Sequence, residues 1–312
     1  MEHIEQVNEK IYSIDQQWLD NVQYNSCYLI AGERVALYDT GPTTSMEKVL
    51  QSVEELGFRP EDISCLIYSH IHIDHAGSAG VFSTRYPHLQ VLVHEQGAPH
   101  LANPEKLYQS MKRVFGEMAE KMYGDVVPVP EEQLRPLADG EIIDLGGVQL
   151  RVLHTPGHAS HHLCLYDDEH RVLFAGEALG IYLPEADVYF PSTPPPDFDL
   201  VSAVNSVEKL EKLPVEKVLF SHFGPAGDPV IPLKKAKEML IDWGRIVYQA
   251  MSERDDTAYV LEKLSEESMK CIEHLRDAPE LYRKYTELVR FRSGTTCGPG
   301  YIRYFKKGGV VL

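Results

Sequence analysis

The segment Ser69-His70-Ile71-His72-Ile73-Asp74-His75-Ala76-Gly77 carries four candidate metal ligands, His70, His72, Asp74 and His75, within six residues. Imidazole nitrogen and carboxylate oxygen are the donors that Zn²⁺, Fe²⁺ and Mn²⁺ prefer. The run follows directly on the apolar stretch 64–69, so the cluster stands at the C-terminal end of an expected strand, with small residues after it. Such a loop can aim His70 and His72 at one ion and Asp74 and His75 at a neighbour. A polar surface loop is the competing reading, but a dense His/Asp cluster at the end of a buried strand is costly without a partner. Three later segments also deliver a ligand type immediately after a strand. They are His154-Thr155-Pro156-Gly157-His158, Phe174-Ala175-Gly176-Glu177-Ala178-Leu179 and Phe220-Ser221-His222-Phe223-Gly224-Pro225.

The elements that must position these residues are legible as short apolar, β-branched runs bounded by Gly, Pro, Asp or Asn. The runs 27–30, 34–39, 64–69, 90–94, 148–154, 162–166, 171–175 and 217–221 read as strands, several of them apolar on both faces as in a covered sheet. Helical spacing lies between them. Met46, Val49, Leu50, Val53 and Leu56 form one stripe, with Thr43 or Thr44 as N-cap and Gly57 as the stop. The stretch 197–213 repeats the arrangement, and 105–123 reads as a third helical stretch. Strands in pairs with helices interspersed indicate a layered α/β protein. After Pro232 nearly every segment to residue 292 has helical spacing, and the tail 298–307 is rich in Gly, aromatic and basic residues. Pro194-Pro195-Pro196 reads as a stiff loop.

Taken together and in order, the H-x-H-x-D-H run, the T-P-G-H turn, the later Gly-Glu and the S-H-F-G-P turn resemble the metallo-β-lactamase superfamily. So does the strand and turn Val35-Ala36-Leu37-Tyr38-Asp39-Thr40-Gly41. The resemblance implies a four-layer αββα sandwich over residues 1–228, with a helical insertion at about 98–124, and a C-terminal helical extension over 229–312 packed on it. Carried over residue by residue, it implies that His70, His72 and His158 bind a first metal and Asp74, His75 and His222 a second. Glu177 stands where the family usually has a bridging Asp, and its extra methylene is expected either to alter the bridge or to leave one metal weakly bound. Asp39 matches an acid that orients the ligand loop by hydrogen bonding. His154 reads as a packed or supporting residue, and His161 and His162 as incidental neighbours of the His158 turn.

Composition narrows the function further. The chain has 312 residues with 30 basic against 47 acidic side chains, a formal charge of −17 that opposes nucleic acid and anionic lipid. No apolar run approaches the ~18 to 20 residues of a membrane span, and the acidic opening Met1-Glu2-His3-Ile4-Glu5-Gln6 does not read as a secretory signal. Five cysteines without a C-x-x-C pair make a disulfide framework or a cysteine-only zinc site unexpected, and point to a reducing cytoplasm.

Two divalent ions, zinc first and iron or manganese as alternatives, would lower the pKa of a shared water towards ~7. The resulting hydroxide would attack a carbonyl, with Asp74 as proton carrier. The expected activity is hydrolysis of a small-molecule ester, thioester or lactone, of the glyoxalase II, lactonase or quinolone-signal-response thioesterase kind. Met111, Met118 and Met122 read either as an apolar lid or as core, and Tyr182, Tyr189 and Phe190 as pocket lining or scaffold. One alternative is a mononuclear-iron oxidoreductase similar to persulfide dioxygenases. Another is a signalling or interaction protein that keeps the site and uses the C-terminal helices for partners or a homodimer.

Overall fold

The computed structural model describes residues 3–312; Met1 and Glu2, the start of the acidic opening, lie outside the described residues. The chain divides into two compact units. The first comprises Met1–His154, His161–Gly176 and Val215–Gly227, and the second Thr155–Ser160, Glu177–Pro214 and Asp228–Leu312.

The first unit is built on two sheets. Seven strands in sequence order form one: β1 Ile4–Gln6, β2 Ile11–Asp15, β3 Ser26–Ala31, β4 Val35–Tyr38, β5 Ile63–Ile67, β6 Gln90–His94 and β7 Leu134–Leu137. Strands β1 to β4 pair antiparallel, and β4 to β7 run parallel. The second sheet contains β8 Ile142–Asp144, β9 Gln149–His154, β10 Leu163–Asp167 and β11 Val172–Gly176. Beyond β11 lie two strands from later in the chain, Lys217–Phe220 and then Gly224–Ala226.

Alternation along the strands decides how the sheets are covered. Tyr28, Ile30, Ala36, Tyr38, Ile67 and Leu92 of the first sheet share one core with Leu150, Val152, Leu163, Leu165, Phe174 and Leu219 of the second. Cys27, Leu29, Leu37, Leu66, Val91 and Val93 point the other way, into a core closed by helices. Those helices are α1 Met46–Glu55, α2 Ile73–Ala76, α3 Ala79–Arg85 and α4 Ala98–Ala102. Met46, Val49, Leu50 and Val53 are the buried stripe of α1, as their spacing predicts. Both faces of the first sheet are thereby buried, which its apolar runs require.

The expected helix over 105–123 is two helices, α5 Glu105–Phe115 and α6 Met118–Tyr123, divided at Gly116. Met111 is buried in a satellite cluster with Trp18, Ile73, Ala119 and Tyr123, while Met118 is 54% exposed. The three methionines therefore do not act as one stripe.

The second unit holds the hairpin β12 Ile181–Leu183 with β13 Val188–Phe190, and then α7 Leu200–Leu210. Asp199 caps α7 by accepting from the Ser202 N–H. The helices α8 Val230–Glu253, α9 Thr257–Ser268 and α10 Pro279–Phe291 follow, and the later strands of the first unit become β14 Lys217–Phe220 and β15 Gly224–Ala226. Tyr182 and Tyr189 stack at 4.6 Å, and Phe190 packs edge-on to Trp243 of α8, so the hairpin aromatics are tied to scaffold.

A further helix, α11, spans Gly298–Lys306. Pro299 falls directly after a π-helical turn, Arg292–Cys297, through which the helical backbone runs on into α11. Tyr301, Ile302 and Tyr304 bury one face of that helix.

Candidate metal centre

Strand direction sets the first half of the site. β4 and β5 are parallel, with Tyr38 opposite Ile67, so Asp39 and Ser69 leave the sheet side by side. The loop after β5 then turns at once into α2, with His72 at its N-terminus and the His75 and Ala76 N–H groups donating to His72 O. This single turn carries Asp74 and His75 back over Asp39.

Asp39 is 1% exposed and is the organising group. Its Oδ1 accepts from the Ser69 N–H at 2.8 Å. Its Oδ2 faces Ser69 Oγ at 2.7 Å, Ser221 Oγ at 2.6 Å and His75 Nδ1 at 3.1 Å. Because a carboxylate only accepts, the His75 proton sits on Nδ1 and the lone pair on Nε2. That Nε2 lies 3.8 Å from Asp74 Oδ2.

His222, two residues past β14, repeats the logic. Its Nδ1 lies 3.0 Å from the Tyr24 carbonyl, which again only accepts, so Nε2 presents a lone pair. Nε2 is 3.3 Å from the same Asp74 Oδ2. Asp74, His75 and His222 thus offer three donor atoms mutually within 4.8 Å, with both histidines buried and Asp74 29% exposed at its side chain. Asn25 steadies the loop by donating from Nδ2 to Asp74 O at 2.9 Å.

His70 Nδ1 lies 2.9 Å from Ser69 Oγ, whose own proton goes to Asp39. Its Nε2 is therefore the lone-pair nitrogen, 2.8 Å from His72 Nδ1. His161 and His162, which sequence reasoning set aside, pack on this pair. The His161 ring stacks 6.3 Å from His70 and meets His72 edge-on at 6.2 Å; His162 lies 5.3 Å from His70.

The second unit contributes a different pair. Gly157 has φ +144° and a Cβ there would fall 2.3 Å from Ala203 Cα, so the T-P-G-H turn lies directly on α7. His158 Nδ1 faces the Ser192 carbonyl at 3.1 Å, which leaves the lone pair on Nε2. That Nε2 lies 3.0 Å from Glu177 Oε2, and Glu177 Oε1 accepts from Ser192 Oγ at 2.7 Å. His158 and Glu177 are each 4% exposed.

These contacts decide whether a metal suits the residues. At His222 and at His158 a nitrogen lone pair is aimed at a carboxylate oxygen. Two electron pairs at such distances repel unless a proton or a cation lies between them. A mixed imidazole and carboxylate donor set, with its Nδ1 protons fixed by acceptors, is the arrangement that divalent transition ions take. The residues fit.

No thiol competes as nucleophile in this region. Cys27 is fully buried, and burial followed by the nearby Asp39 charge pushes its thiol well up. Burial likewise raises Cys65 to about 11. Burial and then Asp39 hold the Tyr38 hydroxyl protonated. The His154 ring lies tilted against His94 at 4.1 Å, and burial followed by His154 lowers the His94 pKa.

The supporting serines, Ser69, Ser192 and Ser221, and the Tyr24-Asn25 segment were not picked out from sequence. Ser69 and Ser221 were discoverable, each preceding a ligand at a strand end. Ser192 had no such mark.

Comparison with known proteins agrees with this geometry. A protein of Sulfurisphaera tokodaii, "Metallo-beta-lactamase fold-containing protein ST1585", is 27% identical over 234 residues, covering 74% of this chain and 84% of that one. The human "Acyl-coenzyme A thioesterase MBLAC2" is 26% identical over 242 residues, covering 71% of this chain and 81% of that one. The crystal structure of metallo-beta-lactamase family protein TTHA1429 from Thermus thermophilus matches with a TM-score of 0.65 at 25% identity, covering 91% of this chain and 89% of that one. The metallo-β-lactamase fold expected from the sequence is the fold of this chain. The family model of the metallo-beta-lactamase superfamily matches residues 20–222, and the chain belongs to that superfamily.

Proposed function

We propose that the protein is a hydrolase that uses two divalent ions, zinc in the first instance, to cleave an acyl thioester or a related ester or lactone of a small molecule. One ion is assigned to His70, His72, His158 and Glu177, the other to Asp74, His75 and His222. The observation that carries the reading is the pair of imidazole Nε2 atoms, of His222 and His158, aimed at carboxylate oxygens 3.3 and 3.0 Å away.

When bound, such ions acidify a water and polarise a carbonyl oxygen. The remaining work falls to the chain. Asp39 keeps the Nδ1 proton on His75, and the Tyr24 and Ser192 carbonyls do the same for His222 and His158. Asp74 is the most open of the carboxylates in the site and is assigned the proton transfer. It takes a proton as water adds to the acyl carbon, and returns it to the departing sulfur or oxygen as the C–S or C–O bond breaks. The products are a carboxylic acid and a thiol or alcohol.

Thioesters head the substrate classes because the human relative's name states acyl-CoA thioesterase activity. All five cysteines are free, which supports a reducing compartment such as the cytoplasm; no helix among the described residues is long and apolar enough to cross a membrane.

The test is metal analysis of the purified chain together with hydrolysis of acyl-CoA, glutathione-thioester, aryl-ester and lactone substrates. Close to two equivalents of metal and chelator-sensitive thioester cleavage are expected. One equivalent of iron with oxygen uptake on a persulfide would move the assignment to the dioxygenase reaction.

A further inference from the structure

We propose that Ser192 is a positioning residue that sets His158 and Glu177 for the metal, and that the C-terminal helices hold it in place. The proposal rests on the metal-site reading above. Ser192 touches both members of the pair through different atoms: its carbonyl faces His158 Nδ1 at 3.1 Å, and its hydroxyl donates to Glu177 Oε1 at 2.7 Å. The first contact fixes the His158 tautomer, and the second fixes which Glu177 oxygen turns to His158 Nε2. One residue thereby orients two ligands.

A single serine can do this only on a rigid backbone. The peptide on either side of Ser192 is tied to one residue of the C-terminal region. The Pro191 carbonyl accepts from Cys297 Sγ at 3.2 Å, and Thr193 Oγ1 donates to the Cys297 carbonyl at 3.0 Å. Behind the loop, α11 approaches so closely that a Cβ on Gly300 would sit 1.7 Å from Thr193 O. Thr193 and Cys297 are both fully buried. Pro194 follows at once, so the loop has little freedom to drift.

The longer Glu177 side chain gives the contact its purpose. A Glu has one more rotatable bond than an Asp and more ways to miss a metal. A hydroxyl bond to one oxygen removes that freedom and aims the other.

The experiment uses the full chain and reads Zn²⁺ affinity by chelator competition, Co²⁺ absorption and the melting temperature of the metal-free protein. Ser192→Ala removes the hydroxyl and keeps the carbonyl. It should weaken one of the two equivalents by about 10- to 100-fold, the usual effect of losing a partner that orients a ligand. The other equivalent should be unchanged, the Co²⁺ spectrum altered and the metal-free melting temperature retained. Ser192→Thr, which keeps the hydroxyl, should restore affinity. In a Glu177→Asp background, Ser192→Ala should add little. Wild-type affinity at both sites in Ser192→Ala overturns the proposal. So does a Thr variant as weak as the Ala variant with an equally lowered melting temperature, since that is a packing effect. Wild-type protein that takes up no ion overturns the metal-site reading itself, and this proposal with it.

Discussion

Two carboxylates in this protein orient histidines, and they are supported in opposite ways. Asp39 is fixed by strand ends. Four donors converge on it, from Ser69 twice, Ser221 and His75, and the residues come from sequence positions far apart. The His158–Glu177 pair is set by a loop, where Ser192 serves both members. The difference is between an acceptor shared by many donors, where losing any one leaves the rest, and a local strap, where one hydroxyl carries the orientation. Damage should therefore be large and global when the hub itself is removed, and local when the strap is cut.

The largest effect is expected from Asp39→Ala. Three side-chain donors and a main-chain N–H would be left buried without their acceptor, at about 1–3 kcal/mol for each group that finds no water. A stability loss of about 3–5 kcal/mol is expected in urea denaturation of the metal-free protein. Metal uptake at the Asp74–His75–His222 triad should fall with it. A loss below about 1 kcal/mol would show that the donors find other partners and that Asp39 is no hub.

Next come the ligands themselves. His72→Ala and His222→Ala each delete a donor and should bring hydrolysis down to the rate of chelated enzyme, each losing about one equivalent of metal. Their folded stability without metal should change far less than that of Asp39→Ala. Loss of both ions from either variant would merge the two supports into one cooperative unit, and the contrast would be lost.

Glu177→Asp is intermediate. The shortened arm withdraws the carboxylate from Ser192 by about a bond length, so a metal affinity about tenfold weaker is expected, with little change in folding. Unchanged or improved affinity would show that the site was shaped for an aspartate bridge and that the Ser192 bond is incidental.

The same contrast explains what the sequence allowed to be read. Strand ends carry a local signature: an apolar run followed by ligand types marks His70, His72, Asp74, His75, His158 and His222, and all eight expected strands are present. Apart from β2, five mostly buried residues, the missed strands are short: β1, β8, β12 and β13 have three residues each, β7 has four, and β15 is Gly-Pro-Ala. Their pairing comes from neighbours and not from their own pattern. Ser192 lies in a Pro-rich loop, and its use depends on Cys297, more than a hundred positions later. Nothing within a local window links them. The residues of α11 carry a weak local signal for the same reason, since Gly298-Pro299-Gly300 opposes helix and the burial of Tyr301, Ile302 and Tyr304 favours it.

The smallest effect is reserved for Ser221→Ala, and it separates the two kinds of support most sharply. Ser221 and Ser192 are alike in chemistry: each is buried and each donates from Oγ to a carboxylate, at 2.6 and 2.7 Å. Bond strength alone predicts equal consequences. Asp39, however, keeps its two bonds from Ser69 and its contact with His75 when Ser221 loses its hydroxyl, so its position is still determined. A stability loss of about 1 kcal/mol and a change in metal affinity below about threefold are expected, read by urea denaturation and chelator competition. Ser192→Ala should instead leave stability nearly untouched and weaken one metal by at least about tenfold. If the two alanine variants behave alike, the number of donors around a carboxylate does not govern how firmly it aims a ligand.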